Sequence, residues 1–211
     1  MDWHALFIAE LNERLITHFT GGHWRVPLSQ RHLPVPRASG GRLGRIVCAD
    51  ERDVARALRD LSAAGVPASA ARMQAALAAL AEPMRRLRRE EGLPDPAFPP
   101  ERIVPPLPPG RGPLVLMSAA ETEPAMIGQA LIAAAGRGVI WKPAPRAAAS
   151  AHLLMRELGP LAAGRLALLQ GDHDSGAALA AAPNGATGLI WASPAPAPLA
   201  LTLPLLRLSD G

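Results

Sequence analysis

The sequence predicts an α/β fold: a parallel sheet with helices on both faces, preceded by a helical and β-hairpin amino-terminal region. Three observations predict it. From residue 114 onward, short continuous apolar runs alternate with helical stretches of about ten residues, the pattern of βαβ units whose strands are buried on both faces. Before residue 93 the pattern is different, with amphipathic stretches interrupted by Gly21-Gly22 and by prolines. Between the two, prolines crowd residues 93–113 into a stiff connector. The chain therefore divides into an amino-terminal helical and hairpin region (1–92) packing on the core, a proline-rich connector (93–113), and an αβ half (114–211).

Composition narrows the function classes. A hydrophobic content of 49% over 211 residues is enough for a sizeable core. Aromatics make up only 3% and tyrosine is absent, so alanine and leucine carry the packing. The net charge of +4 comes from arginines scattered singly or in short pairs. The one cluster, Arg85-Arg86-Leu87-Arg88-Arg89, is followed at once by Glu90-Glu91 and reads as a solvated helix face. No aromatic residue interleaves with it, so no nucleic-acid partner is expected. Cys48 is the one cysteine, which excludes an internal disulfide and a paired-cysteine zinc site. We see no signal-peptide pattern and no apolar run of about 18 residues. The expectation is a cytoplasmic protein with no membrane partner.

Taken in order, Trp3, Leu6, Phe7, Leu11, Leu15 and Phe19 form one helical stripe over residues 2–19, stopped by Gly21-Gly22. Residues 23–36 read as two short extended segments around a polar turn, limited to sheet edges by their prolines. Asp50 begins a helix to about Ala64, with Val54, Ala57, Leu58 and Leu61 on one face. Ser69 is the N-cap of a second helix running to about Glu91. Beyond the connector, Leu114–Met117, Val139–Trp141, Leu166–Leu169 and Leu189–Trp191 read as strands. Pro124–Ala135, Ala147–Leu158 and Ser175–Ala182 read as helices. Right-handed connections would then put ligands at the carboxyl ends of the strands.

Lys142 lies at such an end, in Gly138-Val139-Ile140-Trp141-Lys142-Pro143-Ala144-Pro145. It is the one lysine among 22 basic residues. A compact ammonium and a planar guanidinium donate differently, so a lysine here is either selected for its shape or a stray surface residue. Gly171-Asp172-His173-Asp174 groups a histidine with two carboxylates, but a turn with Asp as helix N-cap explains it more simply than a metal or a base. His4, His18, His23 and His32 lack ligand spacing. Gly40-Gly41-Arg42-Leu43-Gly44 is a weak match to a phosphate loop. The hydroxyls in 118–123 and at Ser175 have no evident histidine partner.

These elements resemble the first half of a member of the aldehyde dehydrogenase superfamily. The run Leu114 to Pro124, its helix, and Trp141-Lys142-Pro143-Ala144 are similar to the family's strand, loop, helix and Lys-Pro-Ala strand end. Leu166–Gly171, 175–182 and Leu189–Ser193 match the pieces that follow. Gly21-Gly22-His23-Trp24 resembles the family's Gly-Gly-Glu-Trp hairpin, and Cys48-Ala49-Asp50 with Asp53-Val54 resembles its first helix start. The resemblance implies a Rossmann-like sheet.

It also implies what is missing. The nucleophilic cysteine would belong to a catalytic domain beyond Gly211, and Cys48 reads as a buried structural thiol. The oxyanion asparagine aligns near Thr122, between two glutamates whose charge opposes a developing alkoxide. The general-base glutamate aligns with Arg207-Leu208-Ser209-Asp210, where a guanidinium cannot accept a proton. No catalytic residue and no metal ligand is assigned. On the resemblance, the cofactor-binding residues are Lys142, which would hold the adenosine ribose, Ala144, and Ser193 of the turn that approaches a pyrophosphate. Pro145 stands at the position that reads the ribose 2′ group. The prolines of Pro194-Ala195-Pro196-Ala197-Pro198 withhold the N–H groups a phosphate needs. No cofactor is assigned outright, and NAD or NADP is left open.

The expected function is an inactive structural or interaction subunit, as in the degenerate second domain of some large family members. It would pair with itself or with a full-length aldehyde dehydrogenase. The leucine-rich Leu199–Leu208 would cover the sheet or meet that partner. The alternative is the NAD(P)-binding half of a split aldehyde dehydrogenase completed by a partner subunit. A nucleotide sensor without chemistry is a third reading.

Overall fold

Leu114, Leu116, Val139, Trp141, Leu168 and Ile190 pack on one side of a sheet, while Val115, Met117, Ile140, Ala167 and Leu189 pack on the other. The period-two alternation of a strand places apolar side chains on both faces at once. This is a computed structural model, and it describes residues 3–97, 106–182, 186–197 and 203–208. The elements are α1 (Trp3–Arg14), β1 (His18–Thr20), β2 (His23–Arg25), β3 (His32–Pro36), β4 (Arg42–Val47), α2 (Glu51–Ser62), α3 (Ala70–Ala78) and α4 (Ala81–Glu90). After the connector come β5 (Leu114–Ser118), α5 (Pro124–Ala134), β6 (Val139–Pro143), α6 (Ala148–Leu158), β7 (Leu166–Leu168), α7 (His173–Ala181), β8 (Gly188–Ala192) and β9 (Leu205–Arg207).

The main sheet has seven strands in the order β2-β1-β7-β6-β5-β8-β9. The pairings from β7 through β9 are parallel, and the β1–β2 hairpin adds antiparallel at β7. Residues of α1, α3, α4, α5 and α6 join the core on one face, and residues of α2 and α7 join it on the other. The α/β expectation, with a predominantly parallel sheet and helices on both faces, matches this architecture. No helix among the described residues is long and apolar enough to cross a membrane.

Several boundaries differ from the sequence reading. The first helix ends at Arg14, and residues 18–20 form a strand. Ile16, Thr17 and Thr20 are β-branched, which favours the extended chain there. Leu11, Leu15 and Phe19 are buried nonetheless, Phe19 from a strand that pairs with Leu168. Gly21 and Gly22, at φ +59° and +83°, form the two-residue turn between Thr20 and His23, which requires positive φ at both positions. The two extended segments read in 23–36 belong to different sheets. β3 pairs instead with β4, a strand the sequence reading missed, through a turn at Gly40-Gly41.

The helix read from Ser69 to Glu91 is two helices broken at Ala79-Leu80. Pro83 has no N–H and its ring crowds the carbonyl of residue 79, so one continuous helix cannot pass through it. The side chain of Trp3, residues 98–105 of the connector, residues 198–202 and Ser209-Asp210 lie outside what is described.

Candidate functional site

Four parallel strands, β7, β6, β5 and β8, end side by side, so Gln170, Lys142, Ser118 and Ser193 emerge along one edge of the sheet. Ligands of open α/β sheets dock at such an edge. Trp141 points into the α5/α6 face, and strand alternation therefore turns Lys142 toward α2 and α7. Its stem lies over α7, where a Cβ placed on Gly176 would be 3.5 Å from Lys142 Cδ.

On this α2/α7 face the charges are unevenly partnered. Asp172 caps α7 by accepting the Ser175 N–H at 3.2 Å, as read from the sequence, and also takes a two-pronged pair from Arg31, one prong at 2.8 Å. The Arg31 hydrogen bond holds the Asp172 carboxyl down at about 2, against the opposing effect of desolvation. Arg31 also reaches Asp174 at 3.4 Å. Cys48 is buried, and desolvation, then the negative charge of Asp172, pushes its thiol up. Lys142 is half-buried, and burial lowers its pKa while Asp172 and Cys48 oppose the shift. Among the described residues its ammonium has neither a hydrogen bond nor an ion pair.

The other two residues matched to a cofactor role are held differently. Ala144 donates its N–H to Ser118 O at 2.9 Å and accepts from Ala147 N–H at 3.0 Å, so its own backbone is committed. Ser193 Oγ accepts the Ala195 N–H at 3.2 Å, and the Trp191 indole donates to Ala195 O at 2.7 Å. This closes a short turn directly after β8. Pro194 and Pro196 have no N–H to offer. Among the described residues no helix lies between β8 and β9.

The opposite, α5/α6 face of the same edge is sealed. Arg88 is 1% exposed and donates to Pro94 O at 2.9 Å, Ala120 O at 3.1 Å and Glu121 O at 3.4 Å. The reading of Arg85–Arg89 as a wholly solvated face is corrected here. Arg85, Arg86 and Arg89 pair with Glu82 and Asp95 at the surface, but Arg88 points inward. Glu91, also buried, accepts the Ala149 and Ser150 N–H groups at 2.9 and 3.0 Å and the Ser150 hydroxyl, capping α6 with its carboxylate. Desolvation pushes this carboxyl up to about 7 despite those hydrogen bonds and the nearby Arg88 charge.

Trp141 Nε1 donates to Ser118 Oγ at 3.0 Å, and Thr122 Oγ1 donates to Ala192 O at 2.6 Å. A cavity of about 10 Å³ lined by Arg88, Ser118, Thr122, Trp141 and Ser150 remains, room for about one water.

Sequence reasoning missed Arg88 and Glu91, although a signal was present. Met84, Leu87, Arg88 and Glu91 share one helical stripe, so a charge pair sat on the apolar face of α4. The remaining candidates are ordinary. Gly40-Gly41 turns a hairpin, Ser175 Oγ donates to Ala49 O at 2.7 Å, and His23 and His32 are exposed. His18 is buried 3.7 Å from Asp53, with its Nδ1 accepting the Gln170 N–H. No cluster of metal-ligating side chains occurs among the described residues. Arg207 lies exposed on β9.

No family model and no curated protein matches the chain. Solved structures do match. Aldehyde dehydrogenase C of Pseudomonas syringae, in a complex with NAD⁺ and octanal, superposes with a TM-score of 0.63 at 18% identity, over 84% of this chain and 45% of its own. An NAD-dependent benzaldehyde dehydrogenase from Corynebacterium glutamicum gives 0.62 at 17% identity, over 84% and 49%. The Δ-pyrroline-5-carboxylate dehydrogenase of Mycobacterium tuberculosis, bound with NAD and cobalamin, gives 0.60 at 19%, over 90% and 46%. The chain thus has the fold of an aldehyde dehydrogenase over most of its own length, and spans under half the length of these structures.

Proposed function

We propose that this chain is a catalytically inactive, aldehyde-dehydrogenase-like subunit of the cytoplasm that works through protein contacts, with itself or with a full-length aldehyde dehydrogenase. The observation that carries the reading is the exit from β8. Ser193 Oγ takes up the Ala195 N–H, and Pro194 and Pro196 have none, so this turn withholds the free N–H groups that a pyrophosphate needs. The residues present therefore do not fit a whole dinucleotide, and no hydride-transfer step is assigned to this chain. Two further positions support the reading. Thr122, matched to the oxyanion donor, gives its one proton to Ala192 O. Arg207, matched to the general base, cannot accept one.

A second reading rests on Lys142. Its half-buried ammonium, without a partner among the described residues, has the donors to hold an adenosine ribose, with Ala144 beside it and Ser193 across β5. That favours the NAD(P)-binding half of a split aldehyde dehydrogenase completed by a partner.

The test is to assay the purified chain for NAD(P)⁺-dependent oxidation of a short aliphatic aldehyde, and to measure its mass in solution and its co-purifying proteins from native cells. We expect no turnover and a stable association. Turnover by the chain alone would sink the inactive reading, and turnover only with a co-purified partner would favour the split enzyme. A strictly single chain with no companion would remove the interaction role.

A further inference from the structure

We propose that the edge of β9, open among the described residues, joins two copies of this chain, antiparallel, about a two-fold axis at Leu206. The inference rests on the contact reading above and names its surface and partner. Hydrogen bonds fix which backbone groups are free. Leu189 N–H donates to Pro204 O at 2.9 Å, and Leu208 N–H donates to Trp191 O at 2.9 Å. In this parallel ladder Leu206 lies opposite Ile190 and spends its N–H and C=O on β8. Leu205 and Arg207 therefore turn theirs outward, away from the sheet.

Those two residues match their own copies. Antiparallel pairing centred on Leu206 sets Leu205 of one copy across from Arg207 of the other, twice. Each of these is a hydrogen-bonded pair, giving about four inter-chain hydrogen bonds. Avoidance of like charge selects this arrangement. It keeps the two guanidinium groups apart and lays each arginine stem over a leucine that is 41% exposed. A parallel, in-register pairing would place Arg207 beside Arg207.

Antiparallel pairing is also closed by its own symmetry, so it stops at two chains. The opposite edge of the sheet lacks these properties. In the two-residue β1–β2 hairpin the Thr20–His23 pair is hydrogen-bonded, so β2 turns only Trp24 outward. Self-pairing there would set His23 against Arg25. An edge strand with unpaired backbone and an exposed leucine is a template for strand addition.

The experiment is sedimentation equilibrium of the full chain over a wide concentration range, with folding checked by circular dichroism. The wild type is expected to move from 22.1 kDa toward twice that mass as concentration rises. Arg207→Pro removes one outward N–H without touching a β8 bond and is expected to stay single. Should that variant fail to fold, Leu205→Lys tests the same register by placing like charges across the axis. Adding Arg207→Glu to Leu205→Lys should restore association, because opposite charges then face each other.

A folded Arg207→Pro that associates like the wild type overturns the β9 pairing and leaves the contact reading standing. A wild type that stays single yet binds another protein does the same. A wild type that stays single and binds nothing overturns both.

Discussion

On the α5/α6 face of the sheet's carboxyl edge, Arg88, Glu91, Ser118, Thr122, Trp141 and Ser150 are each hydrogen-bonded. On the α2/α7 face, a few residues along the same strands, the Lys142 ammonium has no partner among the described residues. The first face uses buried polar chemistry to fasten α4 and the connector to the sheet, and desolvation is offset there by bonds to backbone. The second bears the cost of desolvating an ammonium with no bond in return. Structure explains the first face fully, whereas Lys142 is explained only by something outside the chain or by indifference to its modest cost. The two faces should therefore respond very differently to substitution.

The largest effect is expected at Arg88. Arg88→Met fills similar space but leaves the carbonyls of Pro94, Ala120 and Glu121 without their donor. A loss of about 3 kcal/mol in urea unfolding is expected; a loss below about 1 kcal/mol would mean the network is ornamental.

Glu91 gives a comparable effect that depends on pH. Its carboxyl is raised from 4.5 to about 7 by burial, so ionisation is harder in the folded state than in the unfolded one. Its contribution is therefore fully present below about pH 4.5 and is lost as pH rises through 7, on the order of 3 kcal/mol in all. Asp53 and Asp172, held down at about 2, act in the opposite sense and only below their ordinary range near 3.8, outside this window. Glu91→Gln should flatten the stability slope between pH 4.5 and 7, and an unchanged slope would contradict the assignment.

Lys142→Met should have the smallest effect, within about 0.5 kcal/mol of wild type or slightly stabilising, because the stem's packing is kept and a desolvated charge removed. A large loss would show that Lys142 belongs to the structural network after all.

Much of the αβ half could be read from the chain because its strands are continuous apolar runs between helices of ordinary length. Leu114–Ser118, Val139–Pro143 and Gly188–Ala192 appear within a residue or two of their expected limits. The β3–β4 pair was hidden because Pro34 and Pro36 argue against a strand, yet a two-stranded sheet has edges that admit them. Strand β9 was hidden because a leucine-rich run after a proline run has no alternation to betray it. At the candidate site, Lys142 stood out by rarity alone. Arg88 did not, since a guanidinium among four looks solvated until its stripe on the helix is traced. The engagement of Ser193 with Ala195 is a matter of turn geometry, which sequence spacing does not determine.

The proposal turns on the β8 side of this edge, where Ser193 Oγ takes up the Ala195 N–H and prolines follow, leaving too few free N–H groups for a whole dinucleotide. Titration calorimetry of the purified chain with NAD⁺ and with NADP⁺, alongside Lys142→Met, tests it most directly. No saturable heat is expected up to millimolar ligand for either protein. Micromolar binding by the wild type, abolished in Lys142→Met, would contradict it and put the split-enzyme reading in its place.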